Sequence, residues 1–480
     1  MNRRAGWWST SIACCLTLTG CRVGPDYNPP PLALPVEYAT PRADATPPAI
    51  GDARDLARWW LGFRDPVLTD LIERALAENL DLELAAARLR EARAEVGAAV
   101  AARYPHADLA ASYERSRRSV NTPQSPAIFG DREQSLFRAG FDASWELDLS
   151  GGIARAVEAA TADFGGIVEA HRAVRVTLVA EVARNYLELR GAQQRFEITT
   201  QNLASQRETL ELVDTRFAGG LAPELDVARA RAQVESTSAL LPALDRSIAE
   251  FSHRLAVLVG QVPGALAAEL ARTQPIPLAS PHVPVGLPPE LLRRRPDLRR
   301  VERALAAETA RIGVAVSDLY PKLSLTGSFG YQSERIKRLD SGASQYWSVR
   351  PALSWPILEN GLLRARIAAQ SARAEQALIA FEQAVLVALA EVENALVGYE
   401  REASRYGALA AAVAAHRRAV ELATQLNERG LIDFFDVLAA QRDLLASEDL
   451  LVGSAEARQT WLVALYKALG GGWDLGSAQN

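Results

Sequence analysis

The sequence predicts a membrane α+β fold: a barrel to which each chain gives four strands, continued by long coiled-coil helices, with one structural unit used twice per chain. Three observations predict it. Apolar residues recur every seven positions in Val182, Leu189, Phe196, Leu203, Leu210 and Phe217, and again in Leu378, Val385, Val392, Tyr399, Tyr406, Val413 and Val420. A heptad held over so many turns is a coiled-coil seam. A helix from Gly151 to Phe217 would be about 100 Å long, far beyond what one compact domain accommodates. Four other segments change to a period of two, the signature of strands with one greasy face. Finally, an offset of 210 residues carries Val392 to Val182, Tyr399 to Leu189 and Trp355 to Trp145, and an offset of 216 carries Tyr320-Pro321 to Tyr104-Pro105.

Residues 1–20 read as a secretory signal. Arg3 and Arg4 form its basic end, and Trp7 to Leu18 an apolar core too short for a membrane anchor. Leu18-Thr19-Gly20-Cys21 resembles the bacterial lipobox, which implies cleavage before Cys21 and acylation of its thiol and new amino group. Arg22 follows in place of an acid and, by the same resemblance, favours export to the outer membrane. Cleavage removes Cys14, Cys15 and two arginines, leaving one cysteine, no intrachain disulfide, and a net charge of −7 in place of −5. The acidic balance and the lack of a basic block exclude nucleic acid as a partner. The five histidines (His106, His171, His253, His282, His416) are scattered. With no metal-type spacing, nucleophile elbow or phosphate-binding glycine loop, neither an enzyme nor a cofactor or metal is expected.

Residues 21–64 form a proline-rich, extended strap ahead of Trp59-Trp60 and Phe63. The first repeat spans 65–260. Asp65 as N-cap and Pro66 at the first helical position start a helix that runs to about Arg103. His106 to Ser116 and residues 135–148 make a hairpin, the second strand setting Phe137, Ala139, Phe141, Ala143, Trp145 and Leu147 against Arg138, Gly140, Asp142, Ser144 and Glu146. Gly151-Gly152 opens the long helix, Ala218-Gly219-Gly220 closes it, and a further helix runs from Glu224 to about Val259. Residues 261–289 are a linker. The second repeat, 290–470, replays this plan: helix Glu290–Leu319, strands around Leu323–Gln332 and Trp347–Ile357, a long helix from Gly361 to Arg429-Gly430, and a last helix from about Asp433 to Leu469. Pro351 inside the fourth strand predicts a bulge or a lost ladder bond. Residues 471–480 are a tail.

Strands of roughly ten residues with one apolar face have the dimensions of outer-membrane barrel strands. Trp145 and Trp355 lie at one end of the strands, and Phe137, Phe329, Tyr331 and Trp347 at the other, like two aromatic girdles. A sheet in lipid cannot keep open edges, and four strands are fewer than the roughly eight of the smallest closed barrels, so the barrel is shared between chains. Three chains would supply twelve strands.

Several blocks together resemble the TolC-like outer-membrane efflux factors, in their lipoprotein (OprM/NodT-like) branch: Cys21-Arg22-Val23-Gly24-Pro25-Asp26-Tyr27, Trp59-Trp60 with Phe63 and Asp65-Pro66, Leu291 to Arg299, Arg311-Ile312-Gly313-Val314-Ala315 with Tyr320-Pro321, and Ser354-Trp355-Pro356-Ile357. The resemblance implies a homotrimer with a twelve-stranded barrel, a helical periplasmic tunnel and an equatorial belt that includes the linker. It implies a passive exit duct for small molecules, partnered by a periplasmic adaptor protein and an inner-membrane resistance-nodulation-division pump. Two alternatives are a duct for protein secretion, whose TolC-type examples usually lack the lipobox, and a lipid-anchored adaptor, which lacks paired amphipathic hairpins.

By that resemblance the tunnel closes at the interhelical turns Phe217–Leu221 and Asn427–Leu431, where Gly219, Gly220, Arg429 and Gly430 would meet the adaptor. Asp226 and Asp436 match an acidic constriction; in a trimer they make a ring of carboxylates that attracts cations. Their position equally fits acids that offset the positive end of a helix. Phe434 and Phe435 match an apolar plug, and Arg442 a tie between closed helices. Ala439 departs from the pattern, standing where relatives often carry a further Asp. The Arg293–Arg295 cluster reads as a solvated helix start with a structural role.

Overall fold

The computed structural model describes residues 22–31, 35, 38, 56–117, 119, 133–279, 289 and 293–474. The signal, Cys21 and most of the strap therefore lie outside the described residues, as do residues 280–288 of the linker and 475–480 of the tail. The elements are α1 (Pro66–Glu78), α2 (Leu80–Ala101), β1 (His106–Arg117), β2 (Glu133–Leu147), α3 (Gly152–Ala218), α4 (Glu224–Ser238), α5 (Leu241–Leu258), a single turn α6 (Ala267–Leu270), α7 (Pro296–Ser317), β3 (Lys322–Ser333), β4 (Gln345–Ser354), α8 (Asn360–Glu428) and α9 (Phe434–Ala468). The order helix, hairpin, long helix, helix thus occurs twice. No described helix is long and apolar enough to cross a membrane.

The chain divides into two compact units. The first comprises residues 1–31, 89–167 and 300–381 and holds the sheet; the second comprises 32–88, 168–299 and 382–480. In the first unit β1, β2, β3 and β4 form an antiparallel meander in that order. Its register pairs odd with odd residues throughout: Tyr113 with Phe137, Phe141 with Phe329, Trp145 with Leu325, Phe329 with Trp347. Because strand side chains alternate faces, the apolar sets of all four strands fall on one face. Asp108, Asp142, Ser144, Thr326, Ser328, Ser348 and Arg350 share the other. The expected bulge at Pro351 is absent, and Leu325 pairs with it in an unbroken ladder. β4 is an edge of the described sheet, and an edge strand accommodates a residue that lacks an N–H.

In the second unit the heptad seams are where the core sits. Val182, Leu189, Leu203, Val385, Val392 and Val413 are buried, and only Phe217 at the tip is exposed. Two helices expected to be continuous are broken. The first divides at Asn79, whose extended backbone interrupts the helix while its side chain caps Leu82 N–H at 3.0 Å and donates to the Leu258 carbonyl at 2.9 Å. The second divides at Ala239–Leu240, ahead of Pro242, whose ring can sit only in a first turn. The helix expected from Glu290 is interrupted at Arg295: Arg293 and Arg294 are helical, and α7 starts afresh at Pro296. Arg295 before it is buried rather than solvated. Its guanidinium pairs with Asp297 at 2.5 Å and Glu391 at 2.6 Å and donates to the Ala468 carbonyl at 3.2 Å. The tail's first residues are part of the core too: Gly472 N–H donates to the Leu56 carbonyl at 2.9 Å, and Arg172 stacks on Trp473 at 4.7 Å.

Candidate functional site: strap, sheet face and interhelical turns

Cys21 lies outside the described residues, but the residues after it are firmly held in the first unit. Val23 N–H donates to the Ser150 carbonyl at 3.1 Å, in the link between β2 and α3. Arg155, one turn into α3 and fully buried, donates to the carbonyls of Val23 and Gly24 and pairs with Asp26 at 2.7 Å and Glu158 at 2.9 Å. Burial works against its charge; the two carboxylates outweigh it and hold the guanidinium above its ordinary pKa. Gly24 has a left-handed backbone (φ +87) and faces Gly313 so closely that a Cβ on Gly24 would collide with the Gly313 backbone, while a Cβ on Gly313 would run into the Arg155 side chain. These contacts give physical content to two of the sequence blocks, and Arg155 is a hub the sequence reading missed. An arginine in a first helical turn carries no local signal of its distant partners.

The sheet presents its apolar face without cover from the described residues. Leu109, Phe141, Trp347, Val349 and Leu353 are exposed, Trp347 at 73%. A continuous greasy face of this extent marks a surface that lipid or protein covers. At its helix-side end the two tryptophans act alike. Trp145 donates its indole N–H to the Arg103 carbonyl and Trp355 to the Leu319 carbonyl, each at 3.0 Å. Both acceptors are free carbonyls just beyond a helix C-terminus, immediately before a Tyr-Pro pair.

The interhelical turns belong to the second unit. After α3, Gly220 adopts φ +70 and Leu221 N–H reaches back to the Arg216 carbonyl at 2.8 Å; after α8, Gly430 adopts φ +71 and Leu431 N–H reaches the Leu426 carbonyl at 2.9 Å. This is the Schellman closure, in which a left-handed residue, usually glycine, satisfies the last helical carbonyls. Gly219 continues the same turn, its N–H donating to the Thr215 carbonyl at 3.1 Å. Arg429 is exposed.

The structure distributes the expected gate residues over different environments. Asp226 and Asp436 occupy the third position of α4 and α9, where an acid faces the helix's positive end. Asp226 is half-buried and Asp436 exposed. Phe434 does not stand free: it packs in a core of Val213, Val227, Ala230, Ala423, Val437 and Leu438 that joins the two helical hairpins. Phe435, next to it, is exposed at 49%, with the Arg229 guanidinium 5.0 Å from its ring centre. Arg442 is exposed and, among the described residues, reaches only the adjacent Asp443, at 3.5 Å, so there it ties no two helices together.

Other side chains make those ties, and the sequence reading missed them. Arg216 donates to Asn427 Oδ1 at 3.2 Å, while Asn427 Nδ2 braces the second turn through the Ile432 carbonyl at 3.1 Å. Glu448, buried, accepts from Arg417 at 2.8 Å and Asn202 at 3.1 Å. Further along α9, Glu456 pairs with Arg195 at 3.2 Å across two glycines. A Cβ at Gly191 would run into the Glu456 carboxylate, and one at Gly453 would lie 2.9 Å from the Arg195 guanidinium. Burial, the largest effect, pushes the Glu456 carboxyl up to about 7. Arg195 opposes this, and Glu188 and Asp449 add to it. Among the described residues no group of acids, histidines or cysteines is arranged to hold a metal ion.

A model of the family described as outer membrane efflux protein matches residues 71–261 and 287–471. Nodulation protein T of Rhizobium leguminosarum bv. trifolii is 33% identical over 463 residues, covering 96% of each chain. Outer membrane protein OprJ of Pseudomonas aeruginosa is 33% identical over 477 residues, covering 99% of this chain and 98% of the relative. Among solved structures, the outer-membrane channel OprN superposes with a TM-score of 0.87 at 37% identity, over 94% of this chain and all (100%) of that one.

Proposed function

The chain belongs to the outer membrane efflux protein family, and within that family of outer-membrane efflux channels we propose that it is the passive exit duct of a tripartite pump. Three copies close a twelve-stranded barrel, their long helices continue it as a tunnel, and each chain contributes one structural unit twice. The observation that carries this reading is the sheet. One face is apolar from β1 to β4, and both outer edges, on β1 and β4, lack a strand partner among the described residues. In lipid such edges must be paired, and four strands are too few to pair with themselves.

The remaining assignments follow from this placement. Cys21 carries the acyl chains; two residues on, Val23 is fastened at the β2–α3 link, so the chains would enter the membrane at the helix-side rim, near the level of Trp145. The turns at Gly219-Gly220 and Arg429-Gly430 meet a periplasmic adaptor, which in turn binds a resistance-nodulation-division pump in the inner membrane. The duct supplies no energy and leaves selection of small-molecule cargo to the pump. Asp226, Asp436, Phe435 and Arg442 form the periplasmic gate, with Phe434 packing the helices that carry it. Arg442 then finds its partner on a neighbouring subunit, since among the described residues it has none on another helix.

Planar-bilayer recording tests the reading. The detergent-extracted protein should behave as a trimer and open discrete channels, and Asp436→Ala with Phe435→Ala should raise the conductance severalfold while the trimer persists. A monomer that gives no channels would overturn the duct; unchanged conductance in the double variant would overturn the gate alone.

A further inference from the structure

At the end of the sheet away from the helices, the link between β3 and β4 contains Arg335-Ile336-Lys337-Arg338, three cations in four residues around one apolar side chain. The segment is a braced structure. Arg335 N–H donates to Ser333 Oγ at 3.2 Å, and Ile336–Arg338 form a turn of 3-10 helix. The Arg338 carbonyl then accepts three hydrogen bonds: from Ser341 N–H at 3.2 Å, Ser341 Oγ at 2.9 Å and Ser344 Oγ at 2.6 Å. All four residues of the motif are exposed, Ile336 at 58%.

Among the described residues the three cations have no acidic partner. Glu334 and Asp340 flank them, yet among the described residues no ion pair joins either acid to the motif. Cations at other strand ends behave otherwise: Arg115, at the same end of the sheet, pairs with Glu133 at 3.0 Å, and Lys322, at the opposite, helix-side end of β3, pairs with Asp318 at 2.8 Å. Immediately before the motif, on the apolar face, come Phe329 and Tyr331, whose rings meet edge to face 6.4 Å apart, and across from Phe329 stands Trp347. A level of aromatic side chains marks the boundary between hydrocarbon and headgroups. Lysine and arginine just beyond such a boundary extend their charges into the headgroup layer while their stems stay on apolar surface.

We propose that Arg335, Lys337 and Arg338 bind the phosphate groups of phosphorylated glycolipid in the outward-facing leaflet, with Ile336 inserted among the acyl chains. This inference rests on the duct reading, which sets the β3–β4 link outside the cell. A closed barrel would carry three such clamps at its outer rim, one over each β3–β4 hairpin. The fixed backbone gives the cations a shared geometry for phosphate oxygens, which a freely solvated charge run does not have.

The test uses the full-length, acylated protein and vesicles containing lipid A with its two phosphates, or the same lipid with the phosphates removed. Lipid retained by the purified protein is counted by native mass spectrometry across a salt series. The parent should retain phosphorylated lipid A and lose it as salt rises. Arg335→Gln/Lys337→Gln/Arg338→Gln should weaken retention by roughly tenfold to a hundredfold, since each cation near an anionic surface is worth about fivefold. Arg335→Lys/Arg338→Lys should retain it, and dephosphorylated lipid should bind neither protein. Channel conductance of each variant is read in parallel. Equal lipid retention by the triple variant at unchanged conductance overturns the lipid clamp alone, whereas a parent that forms no channel overturns the duct reading and the clamp with it.

Discussion

The two interhelical turns of the second unit have the same backbone and different chemistry. Gly220 and Gly430 share a left-handed φ, the same closing hydrogen bonds surround them, and Asp226 and Asp436 follow at the same helical position. Side chains at equivalent places, 210 residues apart, diverge. Phe434 fills the core where the first turn has exposed Glu224, and Asn427 links two hairpins where the first has exposed Phe217. Away from the turns, Glu456 is half-buried against Arg195 while its equivalent, Arg246, is exposed and lies 3.8 Å from Glu250. The comparison teaches that the two turns share what backbone geometry demands and differ in their side chains.

The strongest way to break this comparison is at the core. Phe434→Ala empties a large aromatic site in the cluster and should cost about 3 kcal/mol, whereas Glu224→Ala should be near neutral. Hydrogen exchange through the two turns reads both. Equal protection losses would show that Phe434 is not core. Glu456 comes next. Its carboxyl is raised from 4.5 to about 7 in the folded chain, so the folded state holds a proton that the unfolded chain has released. Stability from this group is therefore present at low pH and declines as pH rises from about 4.5 to about 7, flattening above. Glu456→Gln should remove that decline, on the order of 2 kcal/mol, from exchange measured at pH 5 and pH 8 along α9. Arg246→Gln should leave the profile untouched.

At the glycines the same comparison predicts equality. A Cβ at Gly220 or Gly430 would meet nothing within 4 Å, so alanine there costs only the left-handed backbone, about 1–2 kcal/mol at each site. A clear inequality between Gly220→Ala and Gly430→Ala would mean that the turns are not equivalent.

What was legible in the sequence follows the same division between backbone and side chain. Periodicity is a local property, so the heptads of α3 and α8 and the alternation of β1 to β4 could be read directly, and the capping of α1 by Asp65 and Pro66 likewise. The Asn79 and Ala239–Leu240 breaks were not legible, because asparagine and a proline near a helix start occur within helical patterns as well as between them. Pro351 misled in the other direction: its strand is an edge of the described sheet, and no local signal says which strands are edges. Polar hubs that are buried or half-buried were least legible of all. Arg155, Arg295, Glu448 and Glu456 are ordinary charged residues on helices until distant segments close over them, and only the glycines facing two of them (Gly313 beside Arg155, Gly191 beside Glu456) left a trace in the sequence.

The smallest expected effect is also the sharpest test of how the two turns are joined. Asn427 accepts from Arg216 on α3 and donates to the Ile432 carbonyl within its own turn. Asn427→Ala should cost about 1 kcal/mol in exchange protection around the second turn, the usual net worth of a partly exposed hydrogen-bonded side chain. Phe217→Ala at the equivalent place should cost less, because that ring is 44% exposed. Asn427→Asp separates the two contacts: it keeps an acceptor for Arg216, now charge-assisted, and loses the donor to Ile432. If the link between hairpins matters most, the aspartate variant matches or exceeds the parent and Arg216→Ala reproduces the alanine loss. If the brace within the turn matters most, aspartate and alanine are equally weakened and Arg216→Ala is silent. The first outcome assigns Asn427 to holding α3 and α8 together, and the second makes the second turn as self-contained as the first.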